Sequence, residues 1–318
     1  MGENYGLPYT GSKSRIAHWV IDNLPCGRVL IDAFAGGCAI THRALLSNKW
    51  QKIIANDINV KYPQLFLDAV RGKYRDEKRW ISREDFKRLK LQDAFIACCW
   101  SFGNNLQAYM YSQAIEPYKR ALHYAIVFDD FAPMQELMPE VAQAVHEAIH
   151  WIRNTHDRRI TAQNVIVKTL KRLTGDNYAH QIIQSNPLYQ SIRHSKKDAQ
   201  SLQSLESLES LERLERLESL RVTSLSYDEI DIPPDAVVYC DPPYHACEKD
   251  LYEGTADAFD HCAFYDLCVR VSKTNPIFIS EYSIEDDRFE IVAEKQKMTS
   301  MAAVKSFNVT ERLYTVKK

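Results

Sequence analysis

The stretch VLIDAFAGGCAITHRALLSNKWQKIIANDI, residues 29–58, decides how the rest of the chain is read. It opens with a short apolar run, VLIDAF (29–34), that meets an acidic residue near its end. The Gly-containing turn of AGGCAITHRALLS (35–47) then enters a helical pattern, and a second apolar run, KIIANDI (52–58), closes on Asp57. A strand, a turn, a helix and a strand in that order open a doubly wound α/β domain. Farther on, PDAVVYCDPPY (234–244), the helical stretch DHCAFYDLCVRVSKT (260–274) and NPIFISEYS (275–283) repeat the alternation, which predicts a parallel sheet. LRVTSLSYDEI (220–230) adds a strand, and VAEKQKMTSMAAVKSFNVTERLYTVK (292–317) adds one or two more as a closing hairpin.

Between Asp57 and Val237 the alternation stops. Residues 92–127 and 134–153 have helical periodicity instead, so a helical insertion is the simplest interpretation. The expected organisation is a sheet domain from 1–60 and 221–318, an inserted domain over 61–200, and a spacer at 201–220. The spacer, SLQSLESLESLERLERLESL, repeats Leu every third residue. Each such step lags a whole helical turn by about 60°, so the leucines spiral around a helix and make no coiled-coil seam.

Composition narrows the class. With 40 Lys/Arg against 42 Asp/Glu over 318 residues, the average charge says little, but its distribution says more. Residues 71–90 carry nine Lys/Arg against four Asp/Glu, and residues 151–173 six Lys/Arg against one Asp, interleaved with aromatic residues and His. Such segments suit a phosphate backbone, whereas the mostly acidic 228–260 suits a cation. The eight cysteines form no C-x-x-C pair and no Cys/His cluster at zinc spacing, so no metal site is expected and buried, reduced thiols are. The opening MGENYGLPYTGSKSRIAHW lacks the pattern of a signal peptide, and no window approaches the length of a membrane span. A soluble, cytoplasmic protein is expected, monomeric by default.

Two places carry chemistry. The Gly36-Gly37 turn between strand and helix lets backbone approach a ligand closely, and Asp57, 21 residues after Gly36, stands where an acidic residue accepts hydrogen bonds from ribose hydroxyls. The full G-x-G-x-x-G fingerprint is absent, so an adenosine-containing ligand fits better than a nicotinamide dinucleotide. The second place is Asp241-Pro242-Pro243-Tyr244, at the end of a core strand, where open α/β sheets bind their ligands. Two prolines make a stiff turn with outward carbonyls. A carboxylate, a carbonyl and an aromatic face together grip a planar ring with an exocyclic amine: the N–H groups go to the acceptors and the ring stacks on Tyr244. Such bonds draw the nitrogen lone pair out of conjugation, which makes the amine a nucleophile.

DPPY after a core strand, FAGG at the end of an earlier one and Asp57 closing the next resemble the amino-directed DNA methyltransferases that use S-adenosylmethionine, and most closely the Dam-like (D12 class) adenine-N6 group. YTGSK (9–13), followed by the amphipathic SRIAHWVIDNLP, resembles the motif preceding the cofactor motif in that group. WSFGNNLQAYMYS (100–112) resembles its DNA-contact region, and SFNVTERLYTVK its C-terminal strand. Cys38 departs from the pattern, which usually has a third glycine there.

The resemblance implies a Rossmann-like methyltransferase sheet with an inserted, mainly helical DNA-recognition domain. It implies S-adenosylmethionine as cofactor, and site-specific methylation of adenine N6 in double-stranded DNA with the base flipped into the DPPY pocket. Tyr9 and Lys13 then lie against the cofactor and target pocket, Phe34, Gly36 and Gly37 line the methionine side, and Asp57 holds the ribose. Asp241 also lies against the cofactor; with the Pro242 carbonyl it binds the amine, while Tyr244 stacks on the base. DNA contacts are expected from the basic Arg71–Arg88 segment and from Asn104, Asn105, Arg153, Arg158, Arg159 and Lys171. Cytosine N4 methylation and a non-catalytic DNA-binding module are the alternatives. A cognate restriction endonuclease and solitary methylation both stay open.

Overall fold

The computed structural model describes residues 5–8, 11–174, 217–244, 259–301 and 305–318. The chain divides into two compact units, Met1–Tyr74 with Ser207–Lys318, and Arg75–Glu206.

The first unit is built on a seven-stranded sheet. Its strands are β1 (Gly27–Asp32), β2 (Trp50–Asn56), β3 (Leu220–Thr223), β4 (Val237–Cys240), β5 (Ile277–Glu281), β6 (Phe289–Met301) and β7 (Lys305–Val316). Their order is β3-β2-β1-β4-β5-β7-β6. β1 to β5 pair in parallel, while β7 runs antiparallel to β5 and forms a hairpin with β6, bulged between Ile291 and Ala293. β4 and β5 are buried along their whole length, which is why VVYC and IFISE read as continuous runs and not as alternations. Alternate side chains still divide between the faces. Val29, Ile31, Val238, Cys240, Ile277 and Ile279 form one core with Phe264 and Cys268 of the helix His261–Val271. α1 (Ala17–Asn23), α2 (Ala39–Ser47) and α3 (Lys61–Val70) complete this unit. Because α3 belongs here, the sheet unit runs on through Tyr74, past the boundary of 60 expected from the change of pattern.

The second unit is helical: α4 (Arg83–Leu89), α5 (Ala94–Cys99), α6 (Glu116–Val127), α7 (Ala132–Leu137), α8 (Pro139–Ile149) and α9 (Thr155–Thr174). The helix His261–Val271 of the first unit is therefore α10. Val141, Val145 and Ile149 of α8 and Ala162, Ile166 and Leu170 of α9 recur at steps of four, and with Ala121, Leu122 and Ala125 of α6 and Met134 of α7 they form a common core.

Two expectations need correction. The helical reading of 92–127 is interrupted from Trp100 to Ile115, because Gly103, Asn104 and Leu106 all take positive φ, which no α-helix accommodates. The reading of 134–153 is broken before Pro139, whose ring forces Met138 out of the helical region (φ −158°, ψ 72°). The triplet repeat lies outside the described residues up to position 216; Leu217–Ser219 form a 3₁₀ turn and Leu220 begins β3. Among the described cysteines Cys26 and Cys262 are exposed, unlike the buried thiols expected, while Cys38, Cys98, Cys99, Cys240 and Cys268 are buried.

Candidate active site

Four strands of the parallel sheet end in or beside a carboxylate: Asp32 on β1, Asp57 after β2, Asp241 after β4 and Glu281 on β5. Register aligns these ends, with Asp32 opposite both Ala55 and Tyr239, and Cys240 opposite Ile279. Beyond the strands the backbone stays tied: Ala33 N–H donates to the Tyr239 carbonyl (2.9 Å) and Ala35 N–H to the Asn56 carbonyl (2.8 Å).

Around the Gly36-Gly37 turn the fit is close. Gly36 takes φ +46°, and its N–H donates to Asp57 Oδ2 at 2.8 Å, while Asp57 Oδ1 accepts from Asn59 N–H at 2.8 Å. Burial raises the Asp57 pKa, and these two N–H donors oppose the rise. Cys38, in the place of the usual glycine, adopts φ +60° and is fully buried. The left-handed geometry explains why glycine suits the position, and Cys38 bears it as the residue before α2. It supplies no side-chain cap. Asp32 does so instead, accepting from Thr41 N–H (3.1 Å) and Thr41 Oγ1 (2.7 Å) in the first turn. Burial pushes the Asp32 carboxyl up to about 7 despite the Thr41 hydroxyl, with Asp241 and Asp57 adding to the rise.

An N-terminal strap closes over this turn. Leu7 N–H donates to the Gly37 carbonyl (2.7 Å), and Gly6 N–H to His42 Nδ1 (3.0 Å). The ring of His42 accepts because burial holds its pKa down to about 4, and Arg43 pushes the same way. A Cβ on Gly6 would lie 2.4 Å from the Gly37 oxygen. Phe34 stacks on Tyr227 (5.8 Å, 29°) and meets Phe259 and Phe264 edge-on.

The second focus is the DPPY segment. Lys13 Nζ is 2.8 Å from Asp241 Oδ1 and 3.6 Å from Glu311 Oε1, and lies 4.4 Å from the centroid of the Tyr244 ring. Burial alone would lower the Lys13 pKa, but Asp241 and Glu311 outweigh it and the pKa is raised, so Lys13 is charged. The Tyr244 hydroxyl donates to Glu311 Oε1, and Tyr282 meets Tyr244 at 4.6 Å in a perpendicular arrangement. Burial, with Asp241 and Glu311 nearby, drives the Tyr244 phenol well above its ordinary pKa, so it stays a donor.

The sequence-predicted residues thus gather in two groups. Lys13, Asp241 and Tyr244 meet directly, Pro242 is buried beside them, and Gly36 meets Asp57. Tyr9 lies outside the described residues. The expected DNA contacts fare differently; all lie in the helical unit except the start of the Arg71–Arg88 segment, which belongs to the sheet unit. Asn104 is buried, donating to the Cys98 carbonyl (2.9 Å), and Arg158 donates to the Ala125 carbonyl (2.9 Å) and pairs with Asp129. Both side chains hold partners within the helical unit. Asn105 is exposed and its Oδ1 organises a turn through Gln107 and Ala108 N–H groups. Arg153 is exposed, Arg159 bonds His156 (2.9 Å), and Lys171 lies on α9. In the Arg71–Arg88 segment, Lys73, Arg79, Arg83 and Arg88 pair with Asp68, Glu77, Glu116 and Asp85.

Sequence reasoning missed Gly6, Glu281 and Glu311. For the last two a signal exists: Glu281 ends an apolar run as Asp32 does, and Glu311 shares the buried parity of Leu313 on β7. Among the described residues no group of three or more His, Cys, Asp or Glu side chains suits a metal ion, and no helix is long and apolar enough to cross a membrane.

Residues 9–128 match the family model of the D12 class N6 adenine-specific DNA methyltransferase. That span holds Lys13, Phe34, Gly36, Gly37 and Asp57, and the seven-stranded mixed sheet is consistent with an S-adenosylmethionine-dependent methyltransferase. The Type II methyltransferase M2.HphI of Haemophilus parahaemolyticus is 39% identical over 64 residues, 20% of this chain. That match spans 18% of the relative's own length.

Proposed function

We propose that the chain transfers a methyl group from S-adenosylmethionine to the N6 amine of adenine at specific sites in double-stranded DNA. The target base is turned out of the helix into the DPPY pocket. The observation that carries this reading is the convergence of the Asp241 carboxylate and the Tyr244 ring at the end of β4, within reach of one cation, Lys13. A site that holds an ammonium between a carboxylate and an aromatic face has the parts to hold an amine-bearing ring. Asp241 and the Pro242 carbonyl accept the two N–H bonds, localise the nitrogen lone pair and orient it, while stacking on Tyr244 offsets the few kcal/mol needed to unstack the base. Asp before the two prolines and the family match favour adenine over cytosine.

The residues present fit the cofactor. Asp57 uses one lone pair of each oxygen on backbone N–H groups and keeps others for ribose hydroxyls. Phe34, Gly36 and Gly37 line the methionine side, Tyr9 and Lys13 adjoin the cofactor and target pocket, and the carboxylate-rich strand edge, Asp241 included, favours a cation. When bound, S-adenosylmethionine supplies an electrophilic methyl group on a sulfonium. Target recognition falls to the helical unit, where Asn105, Arg153, Arg159 and Lys171 remain the candidate DNA contacts. The name of the relative, a Type II methyltransferase, makes a cognate restriction endonuclease the partner to look for.

The test is to incubate purified protein with methyl-labelled S-adenosylmethionine and mixed genomic DNA, digest to nucleosides and identify the labelled one. Label is expected in N6-methyldeoxyadenosine, falling about a hundredfold or more in Asp241→Ala. Label in N4-methyldeoxycytidine would move the reading to cytosine, and no label with cofactor bound would sink it.

A further inference from the structure

Lys13 holds the position that the proposed substrate needs. Its ammonium pairs with Asp241 Oδ1 (2.8 Å) and sits 4.4 Å over the Tyr244 ring. The proposed amine donates to that same carboxylate and its ring stacks on that same aromatic face, so the lysine and the base cannot share the space. Lys13 must therefore leave, yet it is only 8% exposed, and a buried ammonium without a carboxylate costs several kcal/mol.

Glu311 meets that need. It is fully buried on β7, 3.6 Å from Lys13 Nζ, and its register is fixed by pairing with Lys295 of β6 while its neighbour Arg312 pairs with Glu281 of β5. A rotation at the end of the lysine chain closes that gap to the roughly 2.8 Å of a charge-assisted bond. The same carboxylate accepts the Tyr244 hydroxyl, so the ring that stacks the base and the cation that leaves it share one anchor.

We propose that Lys13 is a placeholder for the target amine and that Glu311 is the positioning residue that receives it when the base enters. The inference rests on the methyltransferase reading for its substrate, but the exchange of partners is a property of the protein alone. In the free protein Lys13 neutralises Asp241 and keeps the pocket from collapsing on an unpaired carboxylate. With the amine bound, Asp241 serves the amine and Glu311 serves Lys13.

Two experiments test this. The first is a crystal structure of the full chain carrying Asp241→Asn, which removes the charge on one side of the exchange. Lys13 Nζ is expected within about 3.2 Å of Glu311; a lysine that stays on residue 241 or turns to solvent, beyond hydrogen-bond range of Glu311, overturns the proposal. This arm needs no turnover, so it stands apart from a failure of the methylation assay. The second is kinetic, with labelled S-adenosylmethionine and genomic DNA. Glu311→Gln is expected to lower kcat/KM about tenfold, chiefly through KM for DNA, because Lys13 then stays on Asp241. In a Lys13→Gln background the same substitution should change kcat/KM less than about twofold. An equal loss in both backgrounds would mean that Glu311 is merely structural.

Discussion

Glu281 ends β5 with Oε1 on the Tyr282 N–H (3.0 Å) and Oε2 buried without a hydrogen-bond partner among the described residues. Burial pushes its carboxyl from 4.5 up to about 7; the Tyr282 N–H opposes the rise, and Asp241 adds to it. A carboxyl raised in the folded state binds its proton more tightly there than in the unfolded chain. Stability therefore falls as pH climbs from about 4.5 toward 7, and levels off above that. Asp32 acts in the same direction, since burial pushes it up to about 7 as well. Gln mimics the protonated form, so Glu281→Gln is expected to flatten part of this dependence and to exceed the parent by about 3 kcal/mol at pH 8, with little difference at pH 4.5. Urea unfolding of both proteins at the two pH values measures this, and identical pH slopes would disprove it. At this scale the sequence displays Asp241 and Asp57 openly, because each stands next to a turn signal. Glu311 is hidden, since its importance comes from β7 lying beside β5, a pairing that joins distant parts of the chain.

The Gly36-Gly37 turn shows how elements hold one another. β1 and β2 were legible in VLIDAF and KIIANDI because short apolar runs between turn residues have few alternatives. The strap over the turn was not, since YGLP carries no periodicity and acts through the approach of Gly6 to Gly37. Elsewhere the irregular 100–115 segment escaped notice because apolar residues continue through it, whereas its break depends on positive φ at Gly103, Asn104 and Leu106. Gly6→Ala tests the strap. With φ +71° and a Cβ 2.4 Å from the Gly37 oxygen, alanine must displace backbone and not a flexible side chain. We expect stability to fall by about 2 kcal/mol and the Kd for S-adenosylmethionine to rise about tenfold or more, as the strap shifts and the turn loosens. Thermal melts with and without cofactor, together with calorimetric titration, give both quantities. A well-folded variant with unchanged affinity would separate the strap from the Gly36-Gly37 turn.

At the scale of the whole molecule, the two units each possess a core. In the first, β4 and β5 are buried on both faces; in the second, α6 to α9 bury Ala125, Met134, Val145 and Ile166 together. The sequence shows a change of pattern near residue 60, whereas the compact unit that holds the sheet runs to Tyr74 and includes the helix α3. Separate cores let damage to one unit leave the chemistry of the other intact, which supplies a test of the division of labour. Ile166 is fully buried among α6, α8 and α9, so Ile166→Ala leaves a cavity and is expected to cost about 3 kcal/mol in the helical unit. If target recognition resides there, DNA affinity falls and its dependence on salt weakens, since fewer Lys and Arg side chains remain held against phosphates. S-adenosylmethionine affinity should stay within about twofold, because Asp57, Gly36 and Asp241 lie in the other unit. Calorimetric titration of the variant with cofactor and, separately, with duplex DNA at two salt concentrations distinguishes the cases. A parallel loss of both affinities would show that the units fold as one and that binding cannot be divided between them.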